Sequence, residues 1–106
     1  MILHIDTRGS STTKDQKVVR VSLKDKGKVV KSLSEENQFG SQVLLPLISK
    51  LLNLEKMSFK DLTGIEVEKG PGSFTGLKVG AAVANALGFS LNIPVNGKKI
   101  ETDLQY

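Results

Sequence analysis

A glycine-rich segment, GPGSFTGLKVG at residues 70–80, has the residue types and spacing best suited to chemistry in this chain. Residues 64–69 are predicted to form a strand and the residues from the segment to about Leu91 a helix, so the segment is a strand-to-helix turn. The free N–H groups at the start of such a helix can bind an anion. The glycine spacing is neither that of a dinucleotide-binding fingerprint nor that of a P-loop, whose Lys-Ser/Thr pair is lacking.

The other side chains that could do chemistry are few and scattered. Asp6 ends a short apolar stretch, where its carboxylate can hydrogen-bond backbone N–H groups of the following loop. One aspartate does not make a metal site, and the sequence identifies no second carboxylate that would bind the same ion. His4 is the only histidine and there is no cysteine. The sequence therefore predicts no metal site and no Ser-His-Asp or Cys-His catalytic set.

Small residues recur at every fourth position of the predicted second helix, which places them in one ridge along one face. Each glycine inside a helix costs roughly 1 kcal/mol relative to alanine, so something must come close to the backbone there. The element that packs against this ridge is either a helix of another protein or the chain's own sheet, and the number of glycines favours the partner helix. The ridge consists of Gly72, Gly76, Gly80, Ala84 and Gly88.

Apolar periodicity predicts alternating strands and helices in a single α/β domain over residues 1–106. The first helix has a wider apolar stripe than one face needs, and Pro46 should kink it or mark its first turn. The final strand should pair parallel to the one before it. The predicted order is strands at 2–6, 17–24 and 28–34, a helix at 42–53, a strand at 64–69, a helix at 74–91 and a strand beginning at 93–95.

The net charge of +4 is concentrated in residues 8–31, which hold eight basic residues against two aspartates. Lysines along the edge of a hairpin protect it from pairing with other chains, and this interpretation is favoured because no aromatic residue is interleaved for base stacking. The alternative is a surface for nucleic-acid phosphates or an acidic partner. With no signal peptide and no apolar run of the roughly 20 residues that span a bilayer, a cytoplasmic protein without membrane contact is expected.

The segment GPGSFTGLKVG resembles the GPGSFTG(L/V)R(I/V)G signature of the TsaB (YeaZ) family, with Lys78 where arginine is usual. The Ile-Asp-Thr at residues 5–7 is also similar to the opening of that family. The resemblance implies one RNase H-like lobe of the actin, sugar-kinase and Hsp70 superfamily, β-β-β-α-β-α-β, with a mixed five-stranded sheet. It covers nearly the whole chain but only the first half of the family architecture, so the chain is expected to lack the second lobe, either as a naturally short member or as an excised lobe. The histidine usual before the first helix is Gly40 here.

The resemblance implies a non-catalytic partner subunit in making threonylcarbamoyladenosine at adenosine 37 of tRNA, without a cofactor of its own. It would dock on the catalytic subunit TsaD through a helix-pair interface, bind a TsaE-like ATPase, act on tRNA only indirectly, and form a homodimer through the same surface. Gly80→Leu is expected to abolish the complex and leave the chain folded. The predicted interface residues are Leu44, Leu47, Ile48, Leu51, Gly72, Ser73, Phe74, Thr75, Gly76, Lys78, Gly80, Ala84 and Gly88.

Two other functions stay open. In the superfamily that this sequence remotely resembles, the aspartate at the position of Asp6 works near a bound nucleotide. Asp6 and the turn at residues 70–76 would then form a nucleotide-binding, phosphotransferase-like lobe, which magnesium-dependent ATP binding by the isolated chain would support. The basic hairpin would make the chain an RNA-binding module, for which tRNA binding should depend steeply on salt.

Overall fold

The fold is an open sheet with two helices, seen in a computed structural model that describes residues 1–7, 18–36, 40–68 and 74–97. The predicted order of the first six elements is confirmed. The elements are β1 (Ile2–Asp6), β2 (Val18–Asp25), β3 (Lys28–Glu36), α1 (Gly40–Leu54), a short 3-10 turn (Phe59–Asp61), β4 (Gly64–Val67) and α2 (Phe74–Leu91).

The sheet is mixed, with the strand order β3-β2-β1-β4. β2 pairs antiparallel with both β1 and β3, and β4 pairs parallel with β1. The β2–β3 hairpin turns at Lys26 and Gly27, which both have positive φ, 53° and 82°. That pair of left-handed residues is typical of a two-residue turn whose twist matches the flanking strands.

The predicted fifth strand is reduced to one bridge, so the part of the chain that the structure describes contains four strands rather than five. Val95 lies parallel to Ile65. The next residue, Asn96, gives its side chain rather than its main chain to Val67. Asn96 and Gly97 then take positive φ values of 51° and 79°, which an extended strand cannot contain. Residues 98–106 lie outside the described ranges.

Both helices cover the same face of the sheet. α1 contacts β2 and β3, α2 contacts β1 and β4, and the helices contact each other. The register aligns alternate strand residues into one apolar face, against which the wide stripe of α1 is buried. The buried core consists of Leu3, Ile5, Val19, Val21, Leu23, Leu44, Leu47, Ile48, Leu51, Leu52, Leu62, Ile65, Val67, Ala84 and Val95.

Pro46 lies seven residues into α1, which runs unbroken from Gly40 to Leu54. The proline therefore does not mark the first turn, because the helix begins earlier than the sequence pattern indicates. No helix among the described residues is both long enough and apolar enough to cross a bilayer.

Candidate partner-binding face and the junction beneath it

The described part of the glycine ridge meets the chain's own first strand. Thr7 follows β1 and is only 4% exposed, and Gly80 is buried in α2 directly against it. A Cβ atom at Gly80 would lie 3.4 Å from both Cβ and Cγ2 of Thr7 and closer still to the Thr7 hydroxyl oxygen. Real Cβ atoms do not approach so closely, so a bare glycine is what lets α2 sit on the end of β1.

The other described residues of the ridge are also buried within the chain. Ala84 and Gly88 are buried in the isolated chain, and Ala84 belongs to the core. The interpretation that the ridge is kept bare for a partner helix is thus wrong at Gly80, Ala84 and Gly88. The competing interpretation, close packing of the helix within its own chain, agrees with their burial, because α2 contacts β1, β4 and α1.

The predicted interface residues of α1 are also internal. All four lie in the core, where the wide apolar stripe of α1 meets the sheet. They pack between α1 and the sheet and do not form the exposed surface of the helix. These residues are Leu44, Leu47, Ile48 and Leu51.

The remaining predicted interface residues fall into two groups. Gly72 and Ser73 lie outside the described residues. Phe74, Thr75 and Gly76 begin α2, and only their backbone is described. Lys78 is exposed and lies on the side of α2 opposite the ridge.

The surface of α2 that a partner can reach is its outer face, which we define as Lys78, Ala82, Ala86 and Phe89. These residues are all exposed and are spaced i, i+4, i+8 and i+11, half a turn away from Gly80 and Ala84. Phe89 is 50% exposed although it is a large apolar side chain. On α1, Leu45 and Leu54 are exposed to 46% and 50%. The helix layer therefore has apolar side chains on its solvent side as well as in the core.

Asp6 is partly buried at the carboxyl end of β1, opposite Arg20 in the register with β2. It interacts with a neighbouring group, so it is not a free carboxylate. Among the described residues no three histidine, aspartate or glutamate side chains come together as a metal-ligand set. Asp6 thus lies beside Thr7 and the Gly80 contact, at the base of the helix layer.

The sheet face opposite the helices carries a charge network that sequence reasoning missed. His4 Nδ1 lies 3.0 Å from Glu66 Oε1, and His4 Nε2 lies 3.1 Å from Glu68 Oε1. Lys24 Nζ donates to the same Glu66 oxygen at 3.0 Å. Both ring nitrogens of His4 thus face a carboxylate oxygen. The network follows from the parallel pairing of β1 with β4, which places His4 beside Glu66.

The hydrogen bonds from His4 and Lys24 hold the pKa of Glu66 below its usual value of 4.5. A carboxylate whose pKa is lowered by folding stabilises the native state above its unfolded pKa, and this contribution is lost as the pH falls through the folded pKa. Glu66 is nearly half exposed, so solvent screening limits the contribution of each pair to less than about 1 kcal/mol.

The residues described so far define one class of protein, an α/β lobe with a mixed sheet and both helices on one face, in whose sequence a glycine-rich segment joins β4 to α2. Residues 34–97 match the family described as TsaD: tRNA N6-adenosine threonylcarbamoyltransferase. The chain therefore belongs to this family, and within it to the TsaB (YeaZ) proteins that its relatives represent. The predicted resemblance is confirmed.

Among curated relatives, the tRNA threonylcarbamoyladenosine biosynthesis protein TsaB of Buchnera aphidicola subsp. Schizaphis graminum is 41% identical over 73 residues, which are 68% of this chain and 35% of that protein. TsaB of Bacillus subtilis is 44% identical over 52 residues, 49% of this chain and 23% of the relative. The tRNA N6-adenosine threonylcarbamoyltransferase of Nitrosospira multiformis is 48% identical over 54 residues, 51% of this chain and 16% of the relative.

Among solved structures, YeaZ from Pseudomonas aeruginosa superimposes with a TM-score of 0.71 and 28% sequence identity, covering 89% of this chain and 42% of that one. The chain thus spans 35% of the Buchnera relative and 42% of the P. aeruginosa structure. This partial coverage fits the prediction that the chain corresponds to one lobe of a longer architecture.

The contact between Thr7 and Gly80 predicts a background-dependent effect of Gly80→Ala on stability. In the natural chain the methyl group overpacks against Thr7 at a cost of about 1–3 kcal/mol, which outweighs the roughly 1 kcal/mol gained in helix propensity. With Thr7→Ala the space is open, and Gly80→Ala should stabilise. Urea unfolding of the four combinations measures the coupling. Ala82→Gly, on the outer face, is the control and should cost about 1 kcal/mol in both backgrounds. Stabilisation by Gly80→Ala in both backgrounds would contradict the contact.

The network around His4 predicts a pH-dependent effect of Glu66→Gln. At pH 7 the variant should unfold at lower urea concentration than the natural chain, because the ionised carboxylate accepts from His4 and Lys24. The difference should shrink as the pH falls below 4.5 and vanish once the pH has fallen through the lowered pKa of Glu66, where the wild-type carboxyl is protonated in the folded chain too. Glu35→Gln, on exposed β3, is the matched control. A difference that persists unchanged at pH 3 would show that the charge of Glu66 is not what stabilises.

Proposed function

We propose that this chain is a non-catalytic partner subunit in the threonylcarbamoyladenosine modification of tRNA, and that it docks on a TsaD-type transferase through α1 and α2. Support comes from the relatives named TsaB and from the family match. The observation that best supports this docking surface is the exposed apolar side of the helix layer, where Phe89 and Leu45 are about half exposed.

The outer face of α2 has the composition that close helix packing needs. Ala82 and Ala86 lie one turn apart, and two small side chains in line allow a second helix to approach. Phe89 lies on the same side, three residues beyond Ala86, and provides an apolar anchor of the kind that dominates interface energies. Lys78 begins this face and contributes a charge at its rim.

Because α1 contacts α2, the two helices present a pair rather than a single rod. A helix pair of the partner packing on it would give a four-helix arrangement. The interface proposed here is half a turn away from the glycine ridge, since Gly80, Ala84 and Gly88 are already used inside the chain. A homodimer would occupy the same surface when the transferase is absent.

The described residues give more support to a partner role than to hydrolysis. One structural neighbour, 27% identical with a TM-score of 0.67, is titled as an uncharacterised protein with similarity to peptidase YeaZ. A serine hydrolase needs its histidine hydrogen-bonded to the nucleophile on one side and to an acid on the other. Here both ring nitrogens of His4 face carboxylates, and the nearby Ser22 bonds Ser32 at 2.9 Å.

The nucleotide-binding alternative keeps one structural observation in its favour. Asp6 lies at the carboxyl end of a strand, beside the contact of Thr7 with α2. Ligands in open α/β sheets bind at such strand ends. The rest of that proposed site, residues 70–73, lies outside the described residues. Tight magnesium-dependent ATP binding by the isolated chain would favour this alternative over the partner role.

The remaining parts of the proposal follow from the same family membership. A TsaE-like ATPase would join the pair, tRNA would be contacted through the transferase rather than directly, and the complex would work in the cytoplasm. The curated relatives are named as tRNA threonylcarbamoyladenosine biosynthesis proteins, which supports the pathway.

A charged side chain on the outer face should remove transferase binding without unfolding the chain. Ala82→Glu places a carboxylate where the partner helix would pack, and the unpaired charge should weaken binding by at least roughly tenfold. Isothermal titration calorimetry against a TsaD-type transferase of the same organism measures the loss, with circular dichroism as the test of folding.

Ser34→Glu is the matched control, since it adds the same charge at an exposed residue on the opposite side of the sheet. It should bind as the unchanged chain does. Equal affinity for Ala82→Glu and Ser34→Glu would exclude the outer face of α2 as the contact.

A further inference from the structure

Asn96 joins two parts of the chain that are 29 residues apart in sequence. The Val67 N–H donates to Asn96 Oδ1 at 2.8 Å, and Asn96 Nδ2 donates to the Val67 carbonyl at 3.2 Å. This pair of bonds fixes the orientation of the carboxamide, because the opposite orientation would set donor against donor and acceptor against acceptor. The side chain thus does for Val67 what the next residue of a parallel strand would do with its main chain.

The backbone conformation at this place is specific to the same task. Asn96 has a φ of 51°, in the left-handed region that asparagine tolerates better than other non-glycine residues. Gly97 follows with a φ of 79°. The chain therefore leaves the sheet while the carboxamide stays behind on β4. Val67 is buried, and its main-chain groups would lack these partners without that side chain.

The two parts joined by Asn96 are the entrance to and the exit from α2. Val67 ends β4, which is the last strand before α2. After α2, the Ile93 N–H bonds the Gly88 carbonyl at 3.0 Å, and the Ile65 N–H bonds the Pro94 carbonyl at 2.9 Å. The Asn96 N–H then bonds the Ile65 carbonyl at 2.7 Å. These hydrogen bonds tie the segment after α2 to β4, the strand before it, and so hold α2 on the sheet from both ends.

We propose that Asn96 is a positioning residue for partner binding, which holds α2 at the height and angle where its outer face meets the partner. It acts through Val67 and does not itself touch the partner. The inference rests on the proposed function for the identity of the partner. The hydrogen-bonded closure of the crossover rests on the geometry of Asn96 alone.

Asn96→Gly tests the proposal because it removes the carboxamide and keeps a residue that accepts positive φ. Asn92→Gly is the matched control. Asn92 also has a positive φ, 56°, and is exposed. Its hydrogen bond to the Phe89 carbonyl, at 3.3 Å, comes from the main-chain N–H, which glycine keeps. Both variants therefore make the same change to the unfolded chain, and they differ only in the loss of the two bonds to Val67.

Three measurements on the full chain separate positioning from mere stability. Amide hydrogen exchange by NMR should show the Val67 N–H exchanging at least roughly tenfold faster in Asn96→Gly, with Asn92→Gly unchanged. Urea unfolding establishes that both variants remain folded under binding conditions. Titration with the TsaD-type transferase should show roughly tenfold weaker binding for Asn96→Gly alone.

Two results would overturn the proposal: an unchanged exchange rate at Val67, or faster exchange at Val67 with unchanged transferase affinity in a folded variant. Asn96→Asp keeps the acceptor and loses the donor, so it should also weaken binding, and a wild-type affinity for it would contradict the role of the second bond. If the unaltered chain does not bind the transferase, the proposed function fails. The exchange comparison at Val67 then decides the closure by Asn96 without it.

Discussion

The contact between Thr7 and Gly80 is the constraint on which the rest of the helix layer depends. β1 lies inside the sheet, between β2 and β4, and α2 must come down on its end. A buried threonine fills the space that a side chain on Gly80 would need. Because this contact fixes which side of α2 faces the sheet, it also fixes which side faces outward. The exposed Ala82, Ala86 and Phe89 follow from it.

The two faces of the sheet are completed by different interactions. On one face the helices and strands bury a continuous aliphatic core. On the other, polar side chains of β2, β1 and the end of β4 contact one another: Lys24 and His4 both contact Glu66, and His4 also contacts Glu68. Glu66 and Glu68 each have a polar partner in this network, so these carboxylates are already engaged within the chain. The helix face, with apolar side chains left in solvent, is therefore the better surface for another protein.

Much of the fold could be predicted from local patterns, whereas the orientation of the helices could not. Apolar periodicity gave the bounds of α2 and the order of the strands up to β4. A ridge such as Gly80 and Ala84 indicates a close neighbour equally well whether that neighbour is a foreign helix or the chain's own strand. Only the position of Thr7 decides between them. The same ambiguity led to the buried residues of α1 being predicted as an interface.

The contacts that sequence reasoning missed join residues that are distant in the chain. His4 and Glu66 are 62 residues apart, and their meeting depends on β1 and β4 being neighbours. The fifth strand stops after Val95 because a side chain of Asn96 replaces the main chain on Val67. No pattern of apolar residues in the sequence indicates that a side chain will take the place of main-chain hydrogen bonds. Both features belong to pairings that only the three-dimensional structure shows.

Solvent exposure along α2 in the unaltered chain tests the central claim most directly. A soluble paramagnetic agent should broaden the NMR signals of Ala82 and Ala86 strongly and those of Gly80, Ala84 and Gly88 weakly, and added TsaD-type transferase should protect the first pair. Strong broadening at Gly80 and Ala84 in the free chain, lost on adding the transferase, would contradict the account and return the ridge to the interface.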